Sequence, residues 1–314
     1  MNRCLICTGE TPDPSQYHPN CLKKLFGSRE KPELDIRSEQ LQQLAKKTVY
    51  QRVTVPGVQS KLSLEVERKA RSTSKLTIVG FWGRFILKPP SEKWPELPEN
   101  EHCTMRMAEV AGIETVPFGL IHLASGERAY ITKRVDRDDE GRKFAMEDMC
   151  QLSGRLTEDK YKGSHEQIAR IVRKFSENPL FDLTRYFELV LFSYLTGNGD
   201  MHLKNFSLLR DPEFGWKLAP AYDLLSTRLV IPEDKDPEEL ALTLTGKKSN
   251  FKMDAFMEFG KSIGLKRKQV TKLIDNLVSE RDELLETIEN SFLSGEKKEQ
   301  YRTILTKRFV SVTK

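Results

Sequence analysis

The sequence has no long uninterrupted apolar segment. Its most apolar stretch, residues 180–195, contains Asp182, Arg185 and Glu188, whereas a membrane helix needs about 18 or more apolar residues in a row. The first residues also lack the apolar core of a signal peptide. These absences argue against a membrane span and a secretory leader, so we expect a cytoplasmic protein with no membrane partner.

A Walker A phosphate loop, G-x4-G-K-S/T, is also missing, which excludes the common P-loop type of nucleotide site. The composition is typical of soluble globular proteins, with 38% apolar and 31% charged residues in a chain of 314. This length allows a substantial core arranged in two lobes. The net charge of +5 permits acidic ligands such as nucleotides, and we expect no direct nucleic-acid binding.

Cysteine is scarce, with five residues, but three of them fall within the first 21 positions. Together with one histidine they form the pattern C-x2-C-x10-H-x2-C, which consists of Cys4, Cys7, His18 and Cys21. In a reducing compartment this spacing favours a tetrahedral structural Zn²⁺ site over disulfides. The alternative is a small N-terminal knuckle whose thiols pack as apolar side chains.

The main chemical signal is a polar loop, residues 197–205, between a predicted buried helix and a predicted strand. The candidate residues are Asp200, His202, Lys204 and Asn205 in the loop, and Asp223 beyond a predicted hairpin. In protein kinases the first Asp of this layout accepts the proton of the substrate hydroxyl, while the Asn and the second Asp hold Mg²⁺ against the phosphates of ATP. We further predict that Lys204 stabilises charge on the transferred group and that His202 braces the loop at the ATP site. Ordinary Asx turns are the alternative.

The first half of the chain is predicted to be rich in strands. Residues 53–66 indicate two strands around a Pro-Gly turn, and backbone N–H groups at such a turn can approach phosphate closely. The candidate ATP contacts here are Gly57, Val58, Gln59 and Lys61. An ordinary hairpin is the alternative.

Two further residues match kinase positions. Lys88 ends an apolar strand predicted at 84–88, where a kinase places the lysine that pairs with phosphate; a surface lysine is the alternative. Glu101 lies in the first turn of a helix predicted from residue 99 to about 111. It either pairs with Lys88 or is favoured there by the helix dipole alone.

The pattern then changes from strands to helices across a charged linker, residues 136–143. The residues expected at an adenine hinge are Thr132, Lys133 and Arg134. Helical patterning follows at 146–152, 165–175, 180–195 and from 253 onward. We therefore predict an α+β, bilobal protein-kinase-like fold. Its parts are a Cys/His knuckle and connector (1–48), a strand-rich lobe with the glycine turn (49–135) and a helical lobe with the catalytic loop (136–314).

With these residues in place, the chain resembles the HipA family of bacterial serine/threonine kinase toxins. Four motifs carry the resemblance and span about residues 50–250: Gly57 to Lys61, Glu147 to Gln151, Gly199 to Phe206, and Tyr222-Asp223. The resemblance implies a kinase-like fold that uses ATP and magnesium. It also implies Asp200 as catalytic base, Asn205 and Asp223 as metal ligands, and Lys88 on the phosphates.

The resemblance further implies a target and a self-modification. Kinases of this type phosphorylate an aminoacyl-tRNA synthetase, which inhibits translation and arrests growth, and they autophosphorylate three residues before the loop glycine. That position is Thr54 here, where serine is usual, and Pro56 stands where related toxins can carry a second serine. Ser60 and Ser63 are the fallback positions.

The glycine turn comes too early for the additional N-terminal domain of long HipA kinases. The chain is therefore more similar to the short HipT type. That likeness implies two partners, a small antitoxin resembling the missing domain and a helix-turn-helix protein that binds DNA. Two alternatives stay open: a kinase for a lipid or another small molecule, and a catalytically silent scaffold in the same complex.

Overall fold

The computed structural model describes residues 2–34, 61–67, 74–79 and 82–313. Contacts between residues divide the chain into two compact units. The first comprises Met1–His102, Val116–Lys143 and Asn290–Phe292, and the second comprises Cys103–Thr115, Phe144–Glu289 and Leu293–Lys314. None of the helices in the described part of the chain combines the length and apolarity that a membrane crossing requires. The domain boundaries at residues 48 and 135 stay predictions.

The N-terminal segment of the first unit is a small knuckle followed by a helix. Strands β1 (Asn2–Arg3) and β2 (Glu10–Thr11) pair antiparallel. Helix α1 (Pro19–Phe26) follows. It begins at a proline, whose fixed φ suits the first helical turn, and it ends at Gly27, whose φ of 71° favours glycine.

A five-stranded antiparallel sheet forms the rest of the first unit, in the spatial order β4-β3-β5-β7-β6. Its strands are β3 (Leu62–Glu67), β4 (Lys75–Ile78), β5 (Phe85–Lys88), β6 (Phe118–His122) and β7 (Arg128–Lys133). In β3, Leu62, Leu64 and Val66 are buried and the residues between them are more exposed, which is the alternation expected of a strand with one core face. Strand β5 confirms the strand predicted at 84–88 to within one residue, and β3 overlaps the second strand predicted within 53–66. The first strand of that predicted pair lies outside the described residues.

Helix α2 (Leu97–Val110) connects β5 to β6 and confirms the helix predicted from residue 99. Its first residues belong to the first unit and its last residues to the second. Glu101, His102, Thr104 and Met105 are all fully buried, so polar as well as apolar side chains face protein here.

Helices dominate the second unit. They are α3 (Met149–Leu152), α4 (His165–Phe175), α5 (Pro179–Leu195), α6 (Met253–Ser262), α7 (Arg267–Ser279), α8 (Arg281–Glu289) and α9 (Gly295–Thr313). Helix α5 is apolar on nearly all sides and lies in the core, where Phe187 stacks on Phe259 of α6 with ring centroids 5.8 Å apart. The last two turns of α5, residues 189–195, are buried throughout. The loop after Leu195 therefore begins from a fixed point.

A three-stranded antiparallel sheet lies beside these helices, in the order β10-β9-β8. Its strands are β8 (Met146–Asp148), β9 (Ser207–Asp211) and β10 (Gly215–Leu218). The helix predicted over 146–152 is wrong in its first half, because Met146–Asp148 pairs with β9. Asp148 has extended backbone and caps α3 in a capping box with Gln151, so the helix begins only after it.

Candidate active site

The loop after α5 is held in shape by its own backbone and by neighbouring polar groups. Gly197 adopts a φ of 69°, a conformation that favours glycine. The Gly199 N–H donates to Thr227 Oγ1 at 2.8 Å, and the Asn198 side chain accepts from the Asp200 N–H at 3.2 Å. Asn198 is almost fully buried. The Asx turn that was the alternative to chemistry is thus present, and it orients the following Asp200.

Asp200 and Asn205 are tied together through the main chain. The Asn205 Nδ2 donates to the Asp200 carbonyl at 3.0 Å, and the Asn205 N–H donates to the His202 carbonyl at 2.9 Å. Because a carbonyl only accepts, the first bond fixes which end of the amide is nitrogen. The Asn205 Oδ1 is therefore the atom suited to a cation, as expected for a kinase asparagine.

The Asp200 carboxylate has a partner that the sequence did not predict. The Tyr161 hydroxyl donates to Asp200 Oδ1 at 2.7 Å, and the Tyr161 ring packs edge-on to His202 with centroids 5.1 Å apart. Burial and the Asp200 charge raise the pKa of Tyr161, so the hydroxyl keeps its proton at neutral pH. Tyr161 itself is 43% exposed. The bond joins residues 39 positions apart, so local sequence patterns carry no signal for it.

His202 belongs to the same loop and is 6% exposed. Burial lowers the pKa of His202, with Lys160 acting in the same direction and the carboxylates of Asp200 and Asp223 opposing it. The imidazole is therefore neutral at physiological pH. A neutral imidazole argues against a role as a charged group, and the bracing role of His202 stays a prediction.

Lys204 forms a salt bridge with Asp148, with Lys204 Nζ 2.8 Å from Asp148 Oδ2. The other Asp148 oxygen accepts from the Gln151 N–H at 2.8 Å as the cap of α3. One carboxylate therefore orients both the start of a helix and the lysine of the loop. The segment from Glu147 to Gln151 carries the D-x-x-Q signature of a helix cap, so this cap was predictable from the sequence. The role of Lys204 on the transferred group stays a prediction.

Asp223 follows the β9–β10 hairpin and has a φ of 60°. Left-handed backbone costs energy in a residue with a side chain and recurs at functional sites. The neighbouring Tyr222 anchors this position, because its hydroxyl donates to the Lys204 carbonyl at 3.1 Å and pairs with Ser207 Oγ at 2.6 Å. The backbone that carries Asp223 is thereby linked to the backbone of the polar loop.

The first unit contains a buried ion pair. Lys88 Nζ lies 2.5 Å from Glu101 Oε1, and the two residues are 3% and 0% exposed. Lys88 ends β5, and Glu101 lies in the first half of α2. The structure thus brings together the two residues that the sequence paired, and the alternative of a surface lysine is wrong. Buried ion pairs contribute little net stability, and strongly paired charges of this kind are frequent at functional sites.

The other predicted ATP contacts either bind local partners or lie outside the described residues. In β7 and the linker, Thr132 Oγ1 donates to the Pro117 carbonyl, Lys133 pairs with Asp139, and Arg134 pairs with Asp136. These side chains serve the local structure, and the hinge itself stays a prediction. Ser63 lies in β3 and accepts from the Gly83 N–H at 3.1 Å, while Lys61 is exposed. Four predicted sites and one fallback site lie outside the described residues: Thr54, Gly57, Val58, Gln59 and Ser60.

The predicted N-terminal ligand set does come together. The ligand atoms of Cys4, Cys7, His18 and Cys21 all lie within 4.8 Å of one another.

Comparison with known proteins gives a consistent family. The model of the HipA-like C-terminal domain matches residues 53–284. A Haemophilus influenzae protein provisionally named a kinase is 31% identical over 271 residues, which cover 77% of each chain. The serine/threonine-protein kinase toxin HipA of Shewanella oneidensis is 31% identical over 194 residues, 56% of this chain and 43% of the toxin. The matched segment thus spans less than half the length of that toxin.

Solved structures agree on the fold. The chain is similar to HipA of Shewanella oneidensis in its complex with HipB and operator DNA, with a TM-score of 0.68 and 23% identity. The likeness covers 90% of this chain and 72% of that one. It is also similar to the Helicobacter pylori proinflammatory kinase CtkA, with a TM-score of 0.53, 16% identity and coverage of 73% and 87%. The predicted α+β kinase-like fold is therefore confirmed, and the chain belongs to the family of the HipA-like C-terminal domain.

Proposed function

We propose that this chain is a protein serine/threonine kinase that transfers the γ-phosphoryl group of ATP to a hydroxyl of a protein target. The observation that carries the proposal is the fixed amide of Asn205, whose Nδ2 is held by the Asp200 carbonyl. That bond joins the side chain that carries an amide oxygen suited to a metal to the main chain of the residue whose carboxylate is suited to a base. Family membership supports the same activity, because its named members are kinases.

Each residue has a role in the proposed reaction. Asp200 orients the substrate hydroxyl and accepts its proton, while the phosphoryl group passes to the hydroxyl oxygen and ADP leaves. Asn205 and Asp223 present the amide and carboxylate oxygens that Mg²⁺ prefers. When bound, Mg²⁺ neutralises charge on the phosphates. Lys88, oriented by Glu101, contacts the phosphates, and Lys204 stabilises charge on the transferred group.

The target and the partners follow from the likeness to HipA. We propose an aminoacyl-tRNA synthetase as the substrate, with inhibition of translation and growth arrest as the result, and autophosphorylation at Thr54 or, failing that, at Ser60 or Ser63. The solved HipA complex contains HipB and operator DNA. This supports an antitoxin and a DNA-binding protein as partners of the present chain. The HipT type, with its small third protein, stays a prediction.

The test is transfer of labelled γ-phosphate from ATP by the native chain, Asp200→Asn and Asp223→Asn. The labelled products are identified in a translation extract and on the chain itself by mass spectrometry. We expect Asp200→Asn to lose at least about a hundredfold in rate, as for removal of a general base. We expect Asp223→Asn to lose transfer as well, because it removes a proposed metal ligand. The matched control is Asp254→Asn, an exposed carboxylate in the first turn of α6.

The products distinguish the alternatives. Label on a synthetase supports the proposal, whereas label on lipid or a small molecule supports the second kind of kinase. Native chain that neither binds ATP nor transfers phosphate would leave the scaffold alternative. Full activity of Asp200→Asn would overturn the assigned base.

A further inference from the structure

The N-terminal knuckle brings four metal-ligating side chains to one point. The ligand atoms of Cys4, Cys7, His18 and Cys21 lie within 4.8 Å of one another, with Cys7 Sγ 3.2 Å and Cys21 Sγ 3.8 Å from His18 Nδ1. Tetrahedral Zn²⁺ binds sulfur at about 2.3 Å and nitrogen at about 2.0 Å, so its ligands lie about 3.5–4 Å apart. The two distances to His18 Nδ1 lie near this range, and three thiols and one imidazole are close enough to converge on one ion.

The residues around the cluster orient the ligands. His18 Nε2 lies 2.9 Å from the Glu10 carbonyl, which only accepts, so Nε2 carries the proton and the lone pair of Nδ1 points to the thiols. Zinc-binding histidines usually donate their second N–H to an oxygen in this way. The Cys4 N–H also donates to the Gly9 carbonyl at 2.8 Å, which closes the β1–β2 turn around Cys7.

We propose that these four residues bind one structural Zn²⁺, and that the metal holds the knuckle as a brace on the edge of the five-stranded sheet and on helix α2. The proposal does not depend on the proposed kinase activity. Binding deprotonates the cysteine thiols, and their protons pass to solvent. All four coordination positions are taken by protein, so the metal has no open position for catalysis.

The first contact of the brace is with the edge strand β6. The Leu120 N–H donates to the Leu5 carbonyl at 2.8 Å, and the Tyr17 hydroxyl donates to the Leu120 carbonyl at 3.0 Å. Both backbone groups of Leu120 are thus satisfied by the knuckle. Gly119 allows this approach, because a Cβ there would lie 2.8 Å from Ile6. An edge strand whose polar groups are covered in this way is protected from exchange and from pairing with other chains.

The second contact reaches helix α2. His102 Nε2 donates to the Ile6 carbonyl at 3.0 Å, and His102 is fully buried. Glu101, the preceding residue, pairs with Lys88. Leu5 and Ile6 lie between Cys4 and Cys7, so coordination of those two cysteines restrains both carbonyls that hold the sheet and the helix.

The first experiment measures zinc. We expect the purified native chain to contain one zinc per molecule by mass spectrometry of the metal, and the zinc-free chain to take up Co²⁺ with the absorption bands of a tetrahedral thiolate site. Cys7→Ser and His18→Ala should lose the metal. Cys150→Ser, which removes a buried thiol from the other unit, is the matched control and should retain it.

Failure of a variant to fold does not weaken this test, because the native chain is also measured with and without a chelator. Native chain without zinc, and without a thiolate spectrum after addition of Co²⁺, would overturn the metal site.

The second experiment measures the brace by amide hydrogen exchange of the native chain before and after removal of zinc. We expect exchange of the Leu120 amide, and of the first turns of α2, to become at least about tenfold faster. The amides of α5, in the other unit, serve as the internal control and should keep their rates. Loss of zinc with unchanged exchange at Leu120 would overturn the brace and leave only a local metal site.

Discussion

The Tyr161 hydroxyl donates a 2.7 Å hydrogen bond to Asp200 Oδ1. Under the proposed function, a substrate hydroxyl must donate to this same carboxylate before it attacks phosphate. The Tyr161 hydroxyl therefore takes the place beside Asp200 Oδ1 that a substrate hydroxyl would need. The Leu203 N–H donates to the Lys160 carbonyl at 3.0 Å, so the segment that carries Tyr161 is bound directly to the polar loop.

Tyr161→Phe should make Asp200 more accessible to substrate. The variant keeps the ring that packs on His202 and loses only the hydroxyl, whose hydrogen bond contributes about 1 kcal/mol net. We expect the rate of phosphoryl transfer at low substrate concentration to rise by about threefold to fivefold, because 1.4 kcal/mol corresponds to about a factor of ten. The measurement is kcat/KM for the protein substrate. A fall to the level of Asp200→Asn would show instead that Tyr161 positions the base.

Replacing both Lys88 and Glu101 should cost less stability than replacing either residue alone. Lys88→Met alone leaves a buried carboxylate, and breaking a buried pair costs about 3–5 kcal/mol. The double variant Lys88→Met/Glu101→Leu replaces both charges with apolar groups. We expect it to be more stable than either single variant in urea denaturation, while all three lose phosphoryl transfer. A double variant whose loss equals the sum of the single losses would contradict this account.

The left-handed backbone of Asp223 should lower the stability of the chain. Its φ of 60° suits glycine better than any residue with a Cβ, at a difference of about 1 kcal/mol. We expect Asp223→Gly to be more stable than Asp223→Ala by about that amount, with transfer lost in both. The measurements are the denaturant midpoint and the rate of phosphoryl transfer of both variants. Equal stability of the two variants would mean that the backbone relaxes freely at this position.

His165 should make stability depend on pH. Burial lowers the pKa of His165 to about 3, against an ordinary value of about 6.5 in the unfolded chain. Between these values the unfolded chain binds a proton that the folded chain does not, so stability is fully present above about pH 6.5 and falls as the pH falls towards 3. We expect this residue to account for a loss of about 2 kcal/mol between pH 7 and pH 5.

The control for this prediction is His165→Asn, which removes the titrating group and keeps an acceptor near the Tyr186 hydroxyl, now 2.7 Å from His165 Nδ1. The free energy of unfolding is measured by urea at both pH values. An equal loss in the native chain and the variant would contradict the assignment to His165.

Much of the secondary structure was predictable because its signal is local. The alternating pattern of β3 and the helical periodicity of α4 and α5 follow from burial of one face or of the whole element. The error at 146–152 has a local cause as well. A strand of three residues is followed directly by a helix of four, and both are too short for a strand or helix periodicity to be recognised.

The candidate site likewise has features that the sequence shows and contacts that only the fold creates. The sequence by itself determined the order and spacing of Asp200, Asn205 and Asp223, the lysine that ends β5, and the Cys/His pattern of the knuckle. These could be recognised because the chemistry proposed for such sites needs particular residue types. Only the tertiary structure decided which side chains contact them. Tyr161 meets Asp200 across 39 positions and Lys204 meets Asp148 across 56. Such pairs form when separate elements pack together, and periodicity along the chain does not encode that packing.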